Sequence, residues 1–380
     1  MSQVSGSLLR WGSYFFQKGN GFHDFWGQYL STKRNVLFIA GLGFDPRAFF
    51  AYKALTEKKG EGRRDCFLVE FDEGPSSPSK RYQSWIDENR LQLESSIPGG
   101  SEKIEKRIDM LAADGRRIGS RNAAGVFTTV TELSNYDDIV IDVSAMPRSI
   151  YFPLIGKILF LLDTNPVKSS KTTNLHVVVA ENAKLDGMIK DEGIDENASY
   201  IHGFTGSLDT EGTSGIPKVW IPILGEGQGP QMERIYELVQ PNEVSPVLPM
   251  PSVNPRRGDD LLIEYRDQLF DRGWVEQGNF VYASEQNPFE VYRQVFQTAS
   301  HYNKALQSLG GCQSVISALS SKLLSIGALL VAYELKNQYP GVGIAHVETH
   351  GYNVDDKIDR EKELENTELA SLWLVGDCYE

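Results

Sequence analysis

The sequence lacks the residue patterns that mark most secreted proteins and zinc proteins. It contains only three cysteines in 380 residues, Cys66, Cys312 and Cys378, and they lie far apart. An odd, scattered set argues against a disulfide framework and a cysteine zinc site, so we expect a reduced, cytoplasmic protein. Four of the six histidines, at 23, 176, 202 and 301, show no spacing that is typical of metal ligands. His346 and His350 flank Glu348, and a His-Glu-His metal face on one strand is the alternative there, but position 350 lies past the expected strand end and a structural role is favoured. We therefore predict no metal site.

Long apolar runs and positive charge are also scarce. The longest apolar stretches, near 150–162 and 323–335, contain Gly, Lys or Ser and are too short to span a bilayer. The N-terminus shows no basic region followed by an unbroken apolar run, as a signal peptide would. The 38 Lys and Arg against 51 Asp and Glu give a net charge of −13, which argues against a broad nucleic-acid surface. A local cationic pocket is not excluded by this balance.

Apolar runs alternate with helical patterns twice along the chain. In the first half the runs lie at 36–43, 66–74, 137–144 and 174–182. In the second half they lie at 218–229, 243–252, 312–320 and 342–353. Continuous Val, Ile and Leu strands between helices are typical of mostly parallel sheets that are covered on both faces.

One local pattern repeats closely between the halves. The segment that begins at Val143 runs through a Ser-containing turn into the helix SIYFPLIGKILFLL, and the segment that begins at Ile316 runs through a similar turn into LLSIGALLVAYEL. The offset is 173 residues (316 − 143). Together with the matching strand order, the repeat indicates an internal duplication. We predict an α/β fold of two tandem Rossmann-like halves with mostly parallel sheets and pseudo-two-fold symmetry.

The composition also suggests domain boundaries. Aromatic residues crowd the N-terminus, which we interpret as a packed helical segment or, alternatively, a docking segment for a partner protein. The polar stretch between the halves is rich in glycine, as in a linker. The predicted parts are 1–34 (helical segment), 35–183 (first half), 184–216 (linker), 217–353 (second half) and 354–380 (acidic tail with a possible edge strand).

Ligands of open α/β sheets bind beyond the carboxyl ends of the strands, and the first such loop here is GLGFDPR. It supplies Gly41, Gly43, Asp45 and Arg47 as candidate ligand-binding residues. It is only part of a dinucleotide fingerprint, because Pro46 stands where a small residue is expected. The alternative is a capped turn with ordinary glycines.

The two repeated turns each place a cation at the start of a helix. Arg148 and Lys322 lie where the helix dipole disfavours positive charge, which indicates a bound anion or a nearby carboxylate such as Asp142. The alternative is a pair of surface salt bridges. The neighbouring serines complete this candidate anion site: Ser144, Ser149, Ser320 and Ser321.

A third candidate cluster is the segment NPRRGDD, which contains Asn254, Arg256 and Arg257. Tandem arginines suit the bidentate recognition of phosphate or carboxylate. Alternatively, each arginine pairs with an adjacent aspartate. If the chain catalyses a reaction, the candidate general acids and bases are the carboxylates at strand ends: Asp72, Asp142 and Glu348.

The turn Ser320-Ser321-Lys322 before a small-residue apolar helix, with the glycine loops at 41–47 and 225–229, resembles a known group of proteins. The second half is similar to the CRISPR-associated Rossmann-fold (CARF) sensor domains, and the whole chain to their fused relatives, the SAVED sensors. The resemblance implies a ligand that is a nucleotide or cyclic oligonucleotide, no other cofactor, and output through a protein partner or a homo-oligomer. The first copy departs from the pattern, with Pro147-Arg148-Ser149 in place of a Ser-Lys turn.

Three functions are compatible with these observations. The first is an intracellular nucleotide-binding sensor or regulatory subunit of a prokaryotic defence or signalling system, without turnover. The second is an enzyme that hydrolyses or transfers a nucleotide or another phosphorylated small molecule. The third is a scaffold subunit with a degenerate pocket.

Overall fold

The computed structural model describes residues 9–58, 60–164, 172–208, 215–276, 278–339, 341–355 and 358–379. The chain forms two units, each with its own sheet. The first-sheet unit contains residues 15–195 and the residues from 348 onward, and the second-sheet unit contains residues up to 14 and 196–347. The chain therefore leaves the first-sheet unit after Asp195 and re-enters it at Glu348.

The strands form the two large sheets and one small antiparallel pair of strands that are distant in the chain. In chain order, the described strands are β1 (Phe15–Lys18), β2 (Val36–Leu42), β3 (Arg64–Asp72), β4 (Lys103–Asp109), β5 (Asp138–Asp142), β6 (Asn174–Glu181), β7 (Ile189–Asp191), β8 (Ser199–Tyr200), β9 (Lys218–Ile223), β10 (Glu243–Val244), β11 (Val247–Pro249), β12 (Val281–Ala283), β13 (Gln313–Ala318), β14 (Val342–His346), β15 (Tyr352–Val354) and β16 (Glu368–Val375).

The helices lie between the strands. In chain order, the described α-helices are α1 (Asn20–Tyr29), α2 (Phe50–Thr56), α3 (Gln83–Ser95), α4 (Gly119–Ala124), α5 (Arg148–Thr164), α6 (Ala183–Met188), α7 (Gly229–Val239), α8 (Arg257–Glu264), α9 (Pro288–Ala305), α10 (Lys322–Leu335) and α11 (Arg360–Leu364). The two apolar helices that the repeated turns predict are α5 and α10, of which 11 of 17 and 12 of 14 residues are buried.

The first sheet has the strand order β1-β16-β6-β5-β2-β3-β4. The five strands from β6 to β4 are parallel, and β16 and β1 are added antiparallel at one side. If the parallel strands are numbered along the chain, their spatial order is 3-2-1-4-5, which is the order of a Rossmann fold. The order reverses between β2 and β5.

The second sheet has the strand order β12-β11-β9-β13-β14-β8, and β10 also pairs with β9. Its strands β12, β11, β9, β13 and β14 are parallel, and β8 is antiparallel to β14. Numbered along the chain, with β10 and β11 as one broken second strand, these strands again follow the order 3-2-1-4-5. The predicted fold class, α/β with two Rossmann-like halves and mostly parallel sheets, is confirmed. The repeated strand order is what an internal duplication produces.

The structure divides the chain differently from the boundaries suggested by composition. The segment 1–34 contains a strand, β1, as well as the helix α1, and its residues before and after Phe15 belong to different units; residues 1–8 lie outside the described part. The segment 184–216 carries α6, β7 and β8 rather than a plain linker, with 209–214 outside the described part. Its residues up to Asp195 belong to the first-sheet unit.

The C-terminal apolar run is a strand, but it does not form the edge of its sheet. The strand β16 lies between β6 and β1, because β1 pairs along its other side. This corrects the predicted edge strand within 354–380, a range in which residues 356–357 and 380 lie outside the described part. Composition alone predicts an apolar strand, but only tertiary pairing decides which strands flank it.

No described helix is both long and apolar enough to cross a membrane. The most apolar ones, α5 and α10, are mostly buried. This agrees with the interpretation of the two apolar stretches as helices of a buried core.

Candidate functional site

In the first-sheet unit the strand order reverses between β2 and β5, so their carboxyl-end loops diverge at this point. Open α/β sheets bind ligands at such a switch point. The loop after β2 contains Gly43 and Asp45, and the loop after β5 contains Ser144 and leads into α5 at Arg148. The predicted ligand-binding residues of the first half therefore lie together at the carboxyl ends of the strands of one sheet.

The glycines at and just after the end of β2 have a packing role here. A Cβ atom on Gly41 would lie 2.5 Å from Cγ of Met146, and one on Gly43 would lie 3.3 Å from the carbonyl oxygen of Ala145. The turn after β5 therefore packs directly onto the end of β2, where a larger residue would require the turn or the Met146 side chain to shift. This supports the alternative that these are ordinary turn glycines rather than a ligand loop.

Asp45 and Arg47 bind each other rather than facing an open pocket. Asp45 caps the helical turn that follows it by accepting from the backbone N–H of Arg47 at 2.9 Å. The Arg47 side chain is buried, with Nη2 2.7 Å from Asp45 and Nη1 2.8 Å from Asp186. Burial disfavours the charge of Arg47, but the two carboxylates outweigh it and raise the pKa of its guanidinium. Both residues serve the fold of this loop.

Asp142 and Ser144 form a closed turn at the end of β5. One carboxylate oxygen of Asp142 accepts from both the backbone N–H and the hydroxyl of Ser144, and the Ser144 Oγ accepts from the backbone N–H of Ala180 at 2.8 Å. Both side chains are buried. These bonds tie the end of β5 to β6, so Asp142 is poorly placed to exchange protons with a ligand.

Asp72 is likewise engaged at the end of β3. Its Oδ1 accepts from the backbone N–H of Gly74 at 2.9 Å, and its other oxygen pairs with Arg107. Of the three candidate acid–base residues, Glu348 is thus the one whose surroundings suit proton exchange.

Glu348 is half-buried and its pKa is raised to about 7. Burial is the main cause of this shift, and the charges of Asp195 and Glu73 add to it, whereas the Ser149 hydroxyl and the charge of Arg117 oppose it. A carboxyl group with a pKa near 7 can donate or accept a proton at neutral pH. Ser149 lies beside Arg148 in the first turn of α5, which links this carboxyl to the predicted anion site.

Arg117 and Asp195 hold the surroundings of Glu348 in place. The Nε and Nη2 atoms of Arg117 donate to the two oxygens of Asp195 at 2.9 and 2.7 Å. The His350 Nε2 lies 3.0 Å from the same carboxylate. The hydrogen bond to Asp195 raises the pKa of Arg117. We call these residues the Glu348 cluster: Arg117, Ser149, Asp195, Glu348 and His350.

Sequence reasoning missed Arg117 and Asp195. Arg117 lies in a polar stretch with no motif, and an isolated bridge between Leu111 and Arg117 brings it back toward β4. Asp195 reaches the site because its segment pairs with the one after Glu348, through a bridge between Ile194 and Thr349. No local pattern could have indicated either residue, since both depend on pairing between distant segments.

In the second-sheet unit, Arg256 and Arg257 have different surroundings and do not form a joint binding site for one anion. The Asn254 Oδ1 accepts from the backbone N–H of Arg256 at 3.0 Å, and Arg256 immediately precedes α8 with an exposed side chain. Arg257 pairs with Glu226 and lies 3.7 Å from Glu285. The alternative prediction of pairing with acidic residues therefore holds in kind for Arg257, but the partners come from other loops rather than from Asp259 or Asp260.

The turn after β13, like the turn after β5, packs closely against the loop that follows the first parallel strand. The Ser321 Oγ caps α10 by accepting from the backbone N–H of Leu324 at 3.3 Å, and Lys322 is the first residue of the helix. A Cβ atom on Gly225 would lie 2.2 Å from the carbonyl oxygen of Leu319. Ser320 and Lys322 are half-buried at this edge. As in the first-sheet unit, a glycine near the end of the first parallel strand lets the turn after the fourth strand approach closely.

The described residues contain no group of three or more His, Cys, Asp or Glu side chains that could hold a metal ion. The three cysteines are free: Cys66 and Cys312 are buried and Cys378 is exposed. A cleft of about 510 Å³ lies elsewhere in the first-sheet unit, beside α2, α3 and α11. None of the predicted ligand-binding residues lines it.

Comparisons with known proteins do not show a family. No family model matches the chain, and no curated protein matches it. Similar solved structures include a putative uncharacterized protein from Mycobacterium paratuberculosis (8% identity, TM-score 0.21, 87% of this chain and 88% of that one). A second is the cytoplasmic domain of a prokaryotic cation chloride cotransporter (10% identity, TM-score 0.20, 84% of this chain and 96% of that one). A third is a universal stress protein from Archaeoglobus fulgidus (8% identity, TM-score 0.22, 85% of this chain and 97% of that one).

Proposed function

We propose that the chain is an intracellular nucleotide-binding sensor or regulatory subunit of a prokaryotic defence or signalling system, which acts through a partner. The observation that carries the proposal is the Glu348 cluster at the carboxyl edge of the first sheet. It sets a carboxyl group with a pKa of about 7 beside the first turn of α5, which begins with Arg148 and Ser149.

The two parts of this site suit the two ends of a nucleotide. A carboxyl group that is partly protonated at neutral pH both donates and accepts hydrogen bonds, as the edge of a base requires. The first turn of α5 offers backbone N–H groups and the Arg148 cation to a phosphate group. A nucleotide is the class of small molecule that presents both features together, and a cyclic oligonucleotide is the form that the resemblance to the sensors implies.

The second-sheet unit offers a comparable anion-binding edge. Lys322 begins α10 next to the capping Ser321, and Ser320 precedes them. The pattern is similar to that of Arg148 and Ser149 in α5. We expect this turn to offer a phosphate-binding position within the second-sheet unit itself.

The raised pKa of Glu348 also favours a second candidate, an enzyme that hydrolyses or transfers a nucleotide. General acid–base catalysis works best when the pKa of the catalytic group lies near the working pH. In this alternative Glu348 transfers the proton, and Arg148 stabilises the negative charge that develops on a phosphate group. A scaffold subunit with a degenerate pocket is the third candidate.

One experiment separates the three candidates. The purified chain is incubated with nucleotides and cyclic oligonucleotides, and thermal unfolding and product formation are both recorded. A raised unfolding temperature without products supports the sensor, products support the enzyme, and neither effect supports the scaffold.

Charge-reversal variants test the location of the site. We expect Arg148→Glu to abolish the shift caused by binding to the first-sheet unit, and Lys322→Glu to abolish any shift caused by binding to the second-sheet unit. The matched control is Arg116→Glu, because Arg116 is exposed and pairs with Asp114 within its own turn. A shift that survives both Arg148→Glu and Lys322→Glu would mean that the ligand binds elsewhere.

A further inference from the structure

The strand β4 forms one edge of the first sheet. It pairs with β3 on one side, and among the described residues no strand pairs with its other side. Six of its seven residues are exposed, and Ile108 alone is buried. An edge strand carries a row of backbone N–H and C=O groups that can pair with another strand.

Hydrogen bonds at the two ends of β4 show which residues direct their backbone groups toward β3 and which direct them away from it. The carbonyl oxygen of Glu102 accepts from Cys66 at 2.9 Å, and the backbone N–H of Met110 donates to Asp72 at 2.9 Å, so these even-numbered residues face β3. In a parallel pair, alternate residues direct both backbone groups toward the same neighbour. The backbone N–H and C=O groups of the odd-numbered residues of β4 therefore point away from β3. In agreement, the outward carbonyl oxygen of Asp109 accepts from the Asn122 side chain at 2.9 Å.

The sequence of β4, KIEKRID, is complementary to itself when one copy is reversed about Lys106. We infer that β4 pairs antiparallel with β4 of a second copy of this chain, around a two-fold axis at Lys106. In this register Lys103 lies opposite Asp109, and Glu105 lies opposite Arg107. Ile104 lies opposite Ile108. Opposite charges and paired aliphatic side chains at facing positions stabilise antiparallel strands.

The backbone supports the same register. Pairing about Lys106 sets Glu105 opposite Arg107 with the backbone groups of both pointing away from β3, so this pair can exchange N–H···O bonds. Lys103 and Asp109 meet in the same way, although the carbonyl oxygen of Asp109 already accepts from Asn122. Moving the two-fold axis by one residue in either direction keeps this backbone phase but sets like charges opposite each other, Glu105 against Glu105 or Arg107 against Arg107. The register about Lys106 is therefore the one in which hydrogen bonding and charge agree.

Other contacts moderate the strength of this pairing. Lys106 faces its own symmetry mate, which is a like-charge contact. Within one chain, Glu105 already pairs with Arg90 at 2.6 Å, and Lys103 pairs with Glu94 at 2.7 Å. We therefore expect a reversible dimer that weakens as the salt concentration rises.

Analytical ultracentrifugation of the full chain tests the inference with two charge variants. In Glu105→Arg the strand carries arginine at 105 and 107, and in Arg107→Glu it carries glutamate at both, so each variant alone opposes like charges. We expect self-association to weaken at least tenfold in each. An equimolar mixture opposes arginine to glutamate at every such position, so it should form a heterodimer with roughly the wild-type affinity.

Two further variants keep the test decisive. Lys106→Gln removes the like-charge contact on the axis and should tighten the dimer. Glu237→Arg changes an exposed charge on α7 and should leave association unchanged. A wild-type chain that stays monomeric at all concentrations overturns the inference. So does a dimer that both charge variants leave intact, or a mixture of folded variants, as checked by circular dichroism, that fails to associate.

Discussion

The backbone N–H of Asp195 donates to the carbonyl oxygen of Glu348 at 2.9 Å, although the two residues are far apart in the chain. They are the residues at which the chain leaves and re-enters the first-sheet unit. The Asp195 carboxylate in turn holds Arg117 by two hydrogen bonds. This arrangement keeps the Glu348 carboxyl half-buried, and its raised pKa follows mainly from that burial.

Replacing Glu348 by glutamine should change how stability depends on pH. The folded-state pKa of about 7 lies above the ordinary value of 4.5, so this carboxyl stabilises the fold fully below about pH 4.5 and loses that contribution as the pH rises through 7. Glutamine does not titrate. We expect the free energy of unfolding of Glu348→Gln, relative to wild type, to increase by roughly 1–3 kcal/mol between pH 4.5 and pH 8.

Urea unfolding at several pH values measures this difference. The matched control is Glu237→Gln, since the Glu237 side chain is 63% exposed and should leave the pH dependence of wild type unchanged. A constant difference between Glu348→Gln and wild type across this range would contradict the raised pKa.

The close approach of turn and strand in each unit predicts graded effects of adding a methyl group. Gly225→Ala meets a backbone oxygen of Leu319 at 2.2 Å, whereas Gly41→Ala meets the Met146 side chain at 2.5 Å, which can move. Overpacking typically costs about 1–3 kcal/mol, and we expect Gly225→Ala to lie at or above the top of that range and Gly41→Ala below it.

Chemical denaturation of the variants checks this order. Gly99→Ala is the control, because a Cβ atom there would meet nothing within 4 Å. Combining Gly41→Ala with Met146→Ala should cost less than the sum of the single changes. Full additivity, or equal loss in Gly99→Ala, would show that the glycines are not required for close packing.

Arg47 should matter for stability and not for ligand binding. Replacing it by methionine leaves Asp45 and Asp186 without their shared cation, and breaking a buried ion pair in this way typically costs about 3–5 kcal/mol. Thermal unfolding should show the loss, while titration of the folded variant should give the wild-type affinity. A stable variant with much weaker ligand binding would contradict this prediction and show that Arg47 contacts the ligand.

Much of the fold could be predicted because parallel strands buried on both faces read as continuous apolar runs. The strands β2, β5, β6 and β13 and the helices α5 and α10 were found in this way. The edge strand β4 was missed because its exposed, charged sequence resembles a solvated segment.

The candidate site was predicted less completely than the fold. Arg148, Ser149 and Glu348 were identified as residues near strand ends, but Arg117 and Asp195 belong to the site only through tertiary pairing. The residues with the most distinctive local pattern, from Gly41 to Arg47, are used for packing and for a buried ion pair.

The central claim is that the edge beside α5 binds a nucleotide, and isothermal titration tests it most directly. Wild type and Arg148→Glu are titrated with the nucleotide or cyclic oligonucleotide that raises the unfolding temperature most. The account predicts saturable binding to wild type and at least tenfold weaker binding to the variant, because the charge reversal repels phosphate. Equal affinity for both proteins, or no binding to wild type by any member of the panel, would contradict it.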